Sequence, residues 1–535
     1  MGASVQEIDI NQVEAAALGF VEVLIGDAVY SQLENLSFQS AWDKLYAGCS
    51  WGTVFQSRAF VDSWYRIYKQ RQEPILIVSE HKGRLTGLVA LTKEHGSKLV
   101  TGAGVNEAGY HVWLSENDLG DLFIREALHE LTSRFPQYKL LFKHIPPQAP
   151  LAWVEHDQKL RKRCVLRTFS RPLMDFKTPD LIIQFNKKSY RSKITKLRKL
   201  GDMRFERIID KEHFVSVLDE LNRQFDFRKA AMLNITPFRS EPLKKNLQLA
   251  LFDQGLLYVT VLFVNEKLVA ANIDTIGKDN WVFGVGINSH NPTFGKYSPG
   301  IVSFLMLGQR LFEEGVEVYD LTTGGHSYKE GLVNAHDQVY ELSIGGPNYR
   351  VKAVVKEKLL IAVKQRLRQL GVEPYKLRAQ WMQLREQLRL LNGVGSVQLL
   401  YTALFKTKVK CYTLPHQLSD QLENITINCL DDLLCFKQKG GALTRWDFSK
   451  EAERRLQAGE QVFSLSENEV LLCCAWLSAT SGAAVISGVY YHRSGLAVIV
   501  PFLTAVARSV GPHAVVAAED TRLQRILEGA GFKVV

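Results

Sequence analysis

One stretch limits what this chain can become more than any other: PTFGKYSPGIVSFLMLGQRLFEEGVEVYDLTTGGHSYKE, residues 292–330. It predicts a loop ending in Ser298-Pro299-Gly300, an apolar helix, a break at Gly315 and a short buried strand, Val316–Leu321. A Gly-Gly turn then leads into Tyr328-Lys329. Ser298 is placed to cap the helix by accepting a backbone N–H bond, and Pro299 suits its first position. Gly300 lets a ligand approach the backbone. A helix N-terminus behind a flexible loop offers N–H donors and a positive dipole end, which suits phosphate. Pro299 has no N–H to give, so weight shifts to Lys296 and the next turn. The bland alternative is an ordinary Ser-Pro helix start followed by an ordinary glycine turn.

Around this block, 535 residues leave room for about three domains, at roughly 150 residues each. An apolar content of 46% with 23% charged residues is that of a globular protein, and no long disordered tract is expected. The first residues, MGASVQEIDINQVEAAALGF, put acidic residues where a secretory signal needs basic ones, and position six is Gln, against myristoylation. Val470–Tyr491 runs 22 residues without a charge, but Ser478, Thr480, Ser481, Gly482, Ser487 and Gly488 favour a hairpin of two buried strands over a membrane span. Seven cysteines, with no Cys-x-x-Cys and no Cys/His metal spacing, are expected to be free thiols in a reducing cytoplasm, with no metal bound.

The charge is uneven. Residues 350–392 hold eleven Lys/Arg against three Glu, and Lys187–Lys199 packs seven basic residues into thirteen positions. Either patch suits an anionic partner such as tRNA or a membrane surface; a solvated helix face is the plainer explanation. Val351, Val354, Val355, Leu359, Val363, Leu367 and Leu370 form one apolar stripe, expected to pack on a neighbouring element.

Along the chain, residues 1–39 form a lead-in and 40–175 a first unit of helices, a hairpin turning at Lys82-Gly83, and the strand LLFKHIP. Residues 176–349 repeat the order: strand LIIQF, a basic helix ending at Gly201, the helix HFVSVLDELNRQF, and a three-stranded meander. The Ser298 helix, the strand VEVYDL and the strand QVYELSIG complete it. A basic helical linker, broken by Gly371 and Pro374, covers 350–394, and a third α/β unit covers 395–535. Each unit predicts a layered α/β (α+β) arrangement, a mixed and mostly antiparallel sheet flanked by helices.

Ser298-Pro299-Gly300, Asp320-Leu321 and Tyr328-Lys329 occur in the order found in the CelD-type (cellulose and exopolysaccharide biosynthesis) branch of the GNAT superfamily, which this stretch resembles. Fem-type aminoacyltransferases, related to that branch, pair two such units, as 40–175 and 176–349 do. The third unit also resembles a GNAT domain. Its His492-Arg493-Ser494-Gly495-Leu496-Ala497 stands at the family's acyl-CoA loop, with Gly495 and Ala497 matching and His492 where Gln or Arg is usual. Gly531-Phe532 matches as well.

The resemblance implies a cytoplasmic N- or O-acyltransferase that takes acetyl-CoA or a related acyl-CoA and modifies a sugar or envelope precursor. Lys296, Tyr297, Ser298 and Gly300 would hold the cofactor, with His492, Arg493, Gly495 and Ala497 in the third unit. Asp320 or His326 would be the base, Tyr328 the acid for the leaving thiolate, and Lys329 a holder of phosphate or an acidic acceptor. Two alternatives stand beside it: a Fem-like transferase using charged tRNA, and a non-catalytic scaffold in polysaccharide biosynthesis. The signatures of hydrolases, P-loop NTPases, zincins and dinucleotide-binding dehydrogenases are not present.

Overall fold

A computed structural model of the chain describes residues 18–324, 327–369, 409–414, 422, 424–437, 443–480, 483–511 and 513–535. Two sheets organise it. The larger has thirteen strands, β1 (Phe20–Ile25), β2 (Gln72–His81), β3 (Arg84–Glu94), β4 (Leu99–Gly102), β5 (Leu114–Ser115), β6 (Lys139–Ile145), β7 (Cys164–Asp175), β8 (Met203–Ile208), β9 (Leu257–Val264), β10 (Lys267–Ile276), β11 (Trp281–His290), β12 (Val318–Asp320) and β13 (Ala335–Ile344). Their order is β1-β2-β3-β4-β6-β13-β7-β12-β11-β10-β9-β8, with β5 beside β3. Pairings are antiparallel except β4 with β6 and β11 with β12.

That order interlocks the first two units. β7 follows the first unit's strands in the chain but lies against β12 of the second, while β13 closes the second and lies against β6 of the first. Each half is completed by a strand at the other's seam. The apolar core crosses with it: Trp42, Trp64 and Trp113 share one cluster with Leu218, Val259 and Phe283. Behind the opposite face of β12, Met174, Phe185, Leu305, Leu311 and Tyr319 form a second cluster under the helix Pro299–Glu313.

The smaller sheet has seven strands, β14 (Lys410–Thr413), β15 (Thr426–Ile427), β16 (Gln461–Glu467), β17 (Val470–Thr480), β18 (Ala483–Tyr491), β19 (Val515–Ala518) and β20 (Lys533–Val534). Its order, β15-β16-β17-β18-β19-β14-β20, repeats the plan of the second unit. In both, four antiparallel strands lead to a parallel fifth, and a strand from ahead of the unit (β7 or β14) lies against that fifth strand. The uncharged stretch at 470–491 is the β17–β18 hairpin, and no helix among the described residues is long and apolar enough to cross a membrane.

The third unit docks through its helix Arg445–Ala458. Trp446 Nε1 donates to Ala231 O at 2.9 Å and Arg445 to Asn234 O at 2.6 Å, at the end of the long helix Lys211–Leu233. Gln457 fills the space at Gly295, so the docking helix lies on the loop that leads into the Pro299 helix.

Three expectations change. LIIQF is a helix, Asp180–Phe185, because Leu181 and Phe185 are buried at i, i+4 spacing with Ile183 exposed, and Pro179 with Asp180 begins a helix well. Phe20–Ile25, inside the stretch read as lead-in, is an edge strand paired with β2. The apolar stripe after Tyr349 is not packed away: within the helix Tyr349–Gln369, Val351, Val354, Val355, Leu359 and Val363 are exposed. The Leu367 side chain, Leu370 and the basic residues from Lys376 on lie outside the described residues.

Candidate active site

The second unit opens where β11 and β12 part. They pair in parallel over three residues only, Trp281–Phe283 with Val318–Asp320. Just beyond, β11 bulges against β10. Phe283 faces Thr275 and Ile287 faces Ile273, so Gly284, Val285 and Gly286 together oppose the single residue Asp274. A bulge takes the backbone groups of its extra residues out of the ladder. Glycine is required here, because a Cβ on Gly286 would lie 1.8 Å from Ile273 O and one on Gly284 2.7 Å from the Tyr319 hydroxyl.

Asp274, opposite the bulge, is buried, and burial holds its carboxyl well above the usual range, opposed by a hydrogen bond from the Tyr319 hydroxyl at 3.1 Å. A carboxyl raised in the fold stabilises as the neutral acid, and that contribution is lost as pH rises from its unfolded value toward its folded one. Asp274→Asn, fixed neutral, is expected to gain on the parent by up to about 1.4 kcal/mol per pH unit above roughly pH 4. Urea denaturation across that range reads the gain, and a pH-independent difference would contradict it.

The Pro299 helix begins beside this opening. Ser298 is left-handed, with φ 58°, and its side chain makes no cap bond. The expected cap is replaced: the Ser298 Oγ accepts from Lys193 Nζ at 3.2 Å, which brings the basic helix Lys188–Arg198 to this end. Ile301 and Val302 both donate back to the Ser298 carbonyl, leaving the Gly300 N–H a first-turn donor with no partner among the described residues. Lys296 is exposed, its Nζ 5.2 Å above the Tyr297 ring. A Cβ at Gly300 would approach His290 Nδ1 at 3.7 Å and Asn288 Oδ1 at 3.8 Å. Burial, with the nearby Arg228 charge, lowers His290 to about 4, so its ring is neutral near pH 7. The Lys193 ammonium and the Ser298 hydroxyl therefore meet at the start of the Pro299 helix, with Lys296 on the loop that leads into it.

The strand-end candidates are more enclosed. Asp320 is fully buried, accepting from the Tyr110 hydroxyl of the first unit, from Arg171 at 3.3 Å and from the Thr322 N–H at 2.7 Å. Burial raises its carboxyl, with Arg171 and Tyr110 acting against the rise. Lys329 is buried too, donating to Leu321 O at 2.6 Å and Thr322 O at 3.2 Å; burial lowers its ammonium. Both side chains hold the turn after β12, where Thr322 has φ 60°, a strained value for a β-branched residue. His326 and the Tyr328 side chain lie outside the described residues.

Two groups that sequence reasoning passed over sit at this turn. Thr323 donates from Oγ to His144 Nε2 at 2.8 Å, and His144 Nδ1 donates to Gly109 O at 2.9 Å. His144 lies in a bulge of β6, where Lys143 and His144 together face Glu341 of β13. In the sequence it is one histidine of thirteen in an ordinary strand, with nothing to mark its partner 179 residues on. On the same seam a cleft of about 210 Å³ is lined by Trp51, Thr53, Gln148, Arg171, Lys278 and Trp281.

The third unit's loop stands apart, on the smaller sheet. His492 turns back on its own loop, its Nδ1 accepting from the Ser494 N–H at 3.3 Å. Gly495 is buried against Leu472 O, while Arg493 and Ala497 are exposed.

Residues 184–330 match the family described as acetyltransferase (GNAT) domain, and the chain therefore carries a GNAT-type acetyltransferase domain there. The matched segment begins after β7 and stops short of β13, the two exchanged strands. No curated protein matches. Among solved structures, the C-terminal domain of a putative lysylphosphatidylglycerol synthetase from Agrobacterium fabrum is similar at 12% identity and TM-score 0.41, over 62% of this chain and 97% of that one. FemX is similar at 11% and 0.41, over 59% and 98%. A tandem GNAT protein from the clavulanic acid biosynthesis pathway is similar at 11% and 0.36, over 61% and 99%.

Proposed function

We propose that the second unit transfers an acyl group, acetyl in the simplest case, from acyl-CoA to an amine or hydroxyl of a sugar or cell-envelope precursor, as a cytoplasmic enzyme of the CelD-type branch. The observation that carries this reading is the glycine bulge of β11, opening beside the Pro299 helix start within the matched domain. Lys193, Lys296, Ser298 and the Gly300 N–H would hold the cosubstrate's phosphates, and the cosubstrate supplies an activated thioester. N–H groups freed by the bulge would face the strand opening and stabilise negative charge on an acyl oxygen there. Asp320, Arg171 and Lys329 act as positioning residues, because all three spend their polar atoms on the protein.

Calorimetric titration with acetyl-CoA tests this. Lys296→Ala combined with Ser298→Ala is expected to weaken binding about tenfold or more, taking about 1.5 kcal/mol or more for a lost charged contact. Thermal melting should be unchanged. Equal affinity in the double variant removes the placement.

A second reading, transfer from aminoacyl-tRNA, is favoured by the basic helix. Lys187, Lys188, Arg191, Lys196, Arg198 and Lys199 are exposed, and none forms an ion pair among the described residues. Silence toward acetyl-CoA together with salt-dependent tRNA binding would select it. Silence toward both would leave the scaffold reading.

A further inference from the structure

We propose that His144 of the first unit and Thr323 of the second form a proton relay that deprotonates the acceptor, making the reaction centre a composite of both units. The inference rests on the acyl-transfer reading and adds its base. A carbonyl oxygen only accepts, so the 2.9 Å contact with Gly109 O requires the proton on His144 Nδ1. In the neutral ring Nε2 then carries the lone pair, and the Thr323 hydroxyl, 2.8 Å away, donates to it. Hydroxyl, imidazole and orienting acceptor in line are the arrangement that general-base chemistry needs.

Placement supports the same role. Phe283 pairs with Asp320, so the residues after each, Gly284–Gly286 and Leu321–Thr323, run along the two sides of the strand opening. A Cβ on Gly109 would meet Val285 at 2.3 Å, so the carbonyl-bearing residue that orients His144 packs against the centre of the β11 bulge. Two strained backbones hold the pair, His144 at φ 52° and Thr322 at φ 60°. Lys329 and Asp320 fasten the second of these from below. Strain that its surroundings enforce so completely marks functional positions.

The step balances. The acceptor's proton passes to Thr323 Oγ as Thr323's own proton passes to His144 Nε2. The acceptor's lone pair forms the bond to the acyl carbon, and the carbon–sulfur bond breaks with its electron pair on sulfur. Nε2 then returns its proton along the same path to the sulfur. Acceptor and thioester become acylated acceptor and thiol.

The test uses the full chain, acetyl-CoA and hydroxylamine as acceptor probe, with thiol release as the rate. Thr323→Val and His144→Gly are each expected to lower the rate about 100-fold or more. Thr323→Ser keeps the hydroxyl and should stay within a few-fold of the parent. Glycine suits the positive φ at 144, and added imidazole should restore much of that variant's rate. Independently of turnover, ¹⁵N NMR of the unliganded protein should show the Nδ1–H tautomer at His144, with the Nε2 resonance displaced in Thr323→Val. An Nε2–H tautomer, a parental rate in Thr323→Val, an acylated Thr323 by mass spectrometry, or acetyl-CoA binding without thiol release overturns the relay alone. Neither binding nor thiol release in the parent removes the acyl-transfer reading, and the relay with it.

Discussion

Arg171→Met is expected to destabilise the protein by about 3–5 kcal/mol, the cost of leaving buried charges without their partner. The guanidinium is 3% exposed and is held between two carboxylates, bidentate to Asp337 and at 3.3 Å from Asp320, which is wholly buried. Burial alone would lower the Arg171 pKa, but its bonds to Asp337 and the Asp320 charge outweigh this and raise it. Its flat group also lies 5.5 Å from the Tyr110 ring centre and 5.2 Å from that of Trp281. Methionine fills similar volume but leaves Asp320 with only the Tyr110 hydroxyl and the Thr322 N–H. Adding Asp320→Asn should return a large part of the loss, because the stranded charge is then gone. Urea denaturation of the single and double variants measures both effects. If the double variant is no more stable than the single, the buried ion pair is not what joins the seam.

The second large effect is expected at Gly286. A methyl group there would sit 1.8 Å from Ile273 O, far inside contact distance, and the obstacle is backbone that cannot rotate away. Gly286→Ala must therefore push β11 off β10 at the bulge, at a cost of about 1–3 kcal/mol for overpacking. Displacing an oxyanion donor should also lower acyl-transfer turnover about 100-fold or more. Acetyl-CoA affinity, set at the Pro299 helix, should change far less. Thiol release and calorimetry on the same sample separate the two. Parental turnover in a folded Gly286→Ala protein would show that the bulge has no part in the chemistry.

Many elements of the first two units were legible because they are local. The meander of β9, β10 and β11 follows from alternating apolar residues between short turns, and the Lys82-Gly83 hairpin from a turn with φ 51° and 75°. The Pro299 helix was readable from Pro at its start and its apolar repeat. LIIQF was misread because a run of four apolar residues in six fits a strand or a helix equally until burial shows which residues point inward. Strands β7, β8 and β14 were passed over, and β7 and β14 are the strands that cross to lie against a parallel fifth strand. Nothing in their composition states which sheet they will join.

For the candidate site, the proposed phosphate end was nearer to the sequence than the proposed chemical end. Ser298, Gly300 and Lys296 lie within five positions of one another, whereas Lys193 reaches Ser298 from 105 residues away. Asp320 and Lys329 were named from motif order, but the Asp320 partners Tyr110 and Arg171 lie 210 and 149 residues before it. His144 and Thr323 carry no local signature at all.

By itself, then, the sequence determined the α/β alternation, the repeat of a layered unit and the helix that starts at Pro299. Each of those depends on residues a few positions apart, whose spacing sets backbone conformation directly. Only the tertiary structure decided that β7 and β13 cross the seam, that Arg171 and Tyr110 enclose Asp320, and that His144 meets Thr323. Those pairings follow from burying two apolar sheet edges together, a free energy summed over the whole interface and recorded in no single segment.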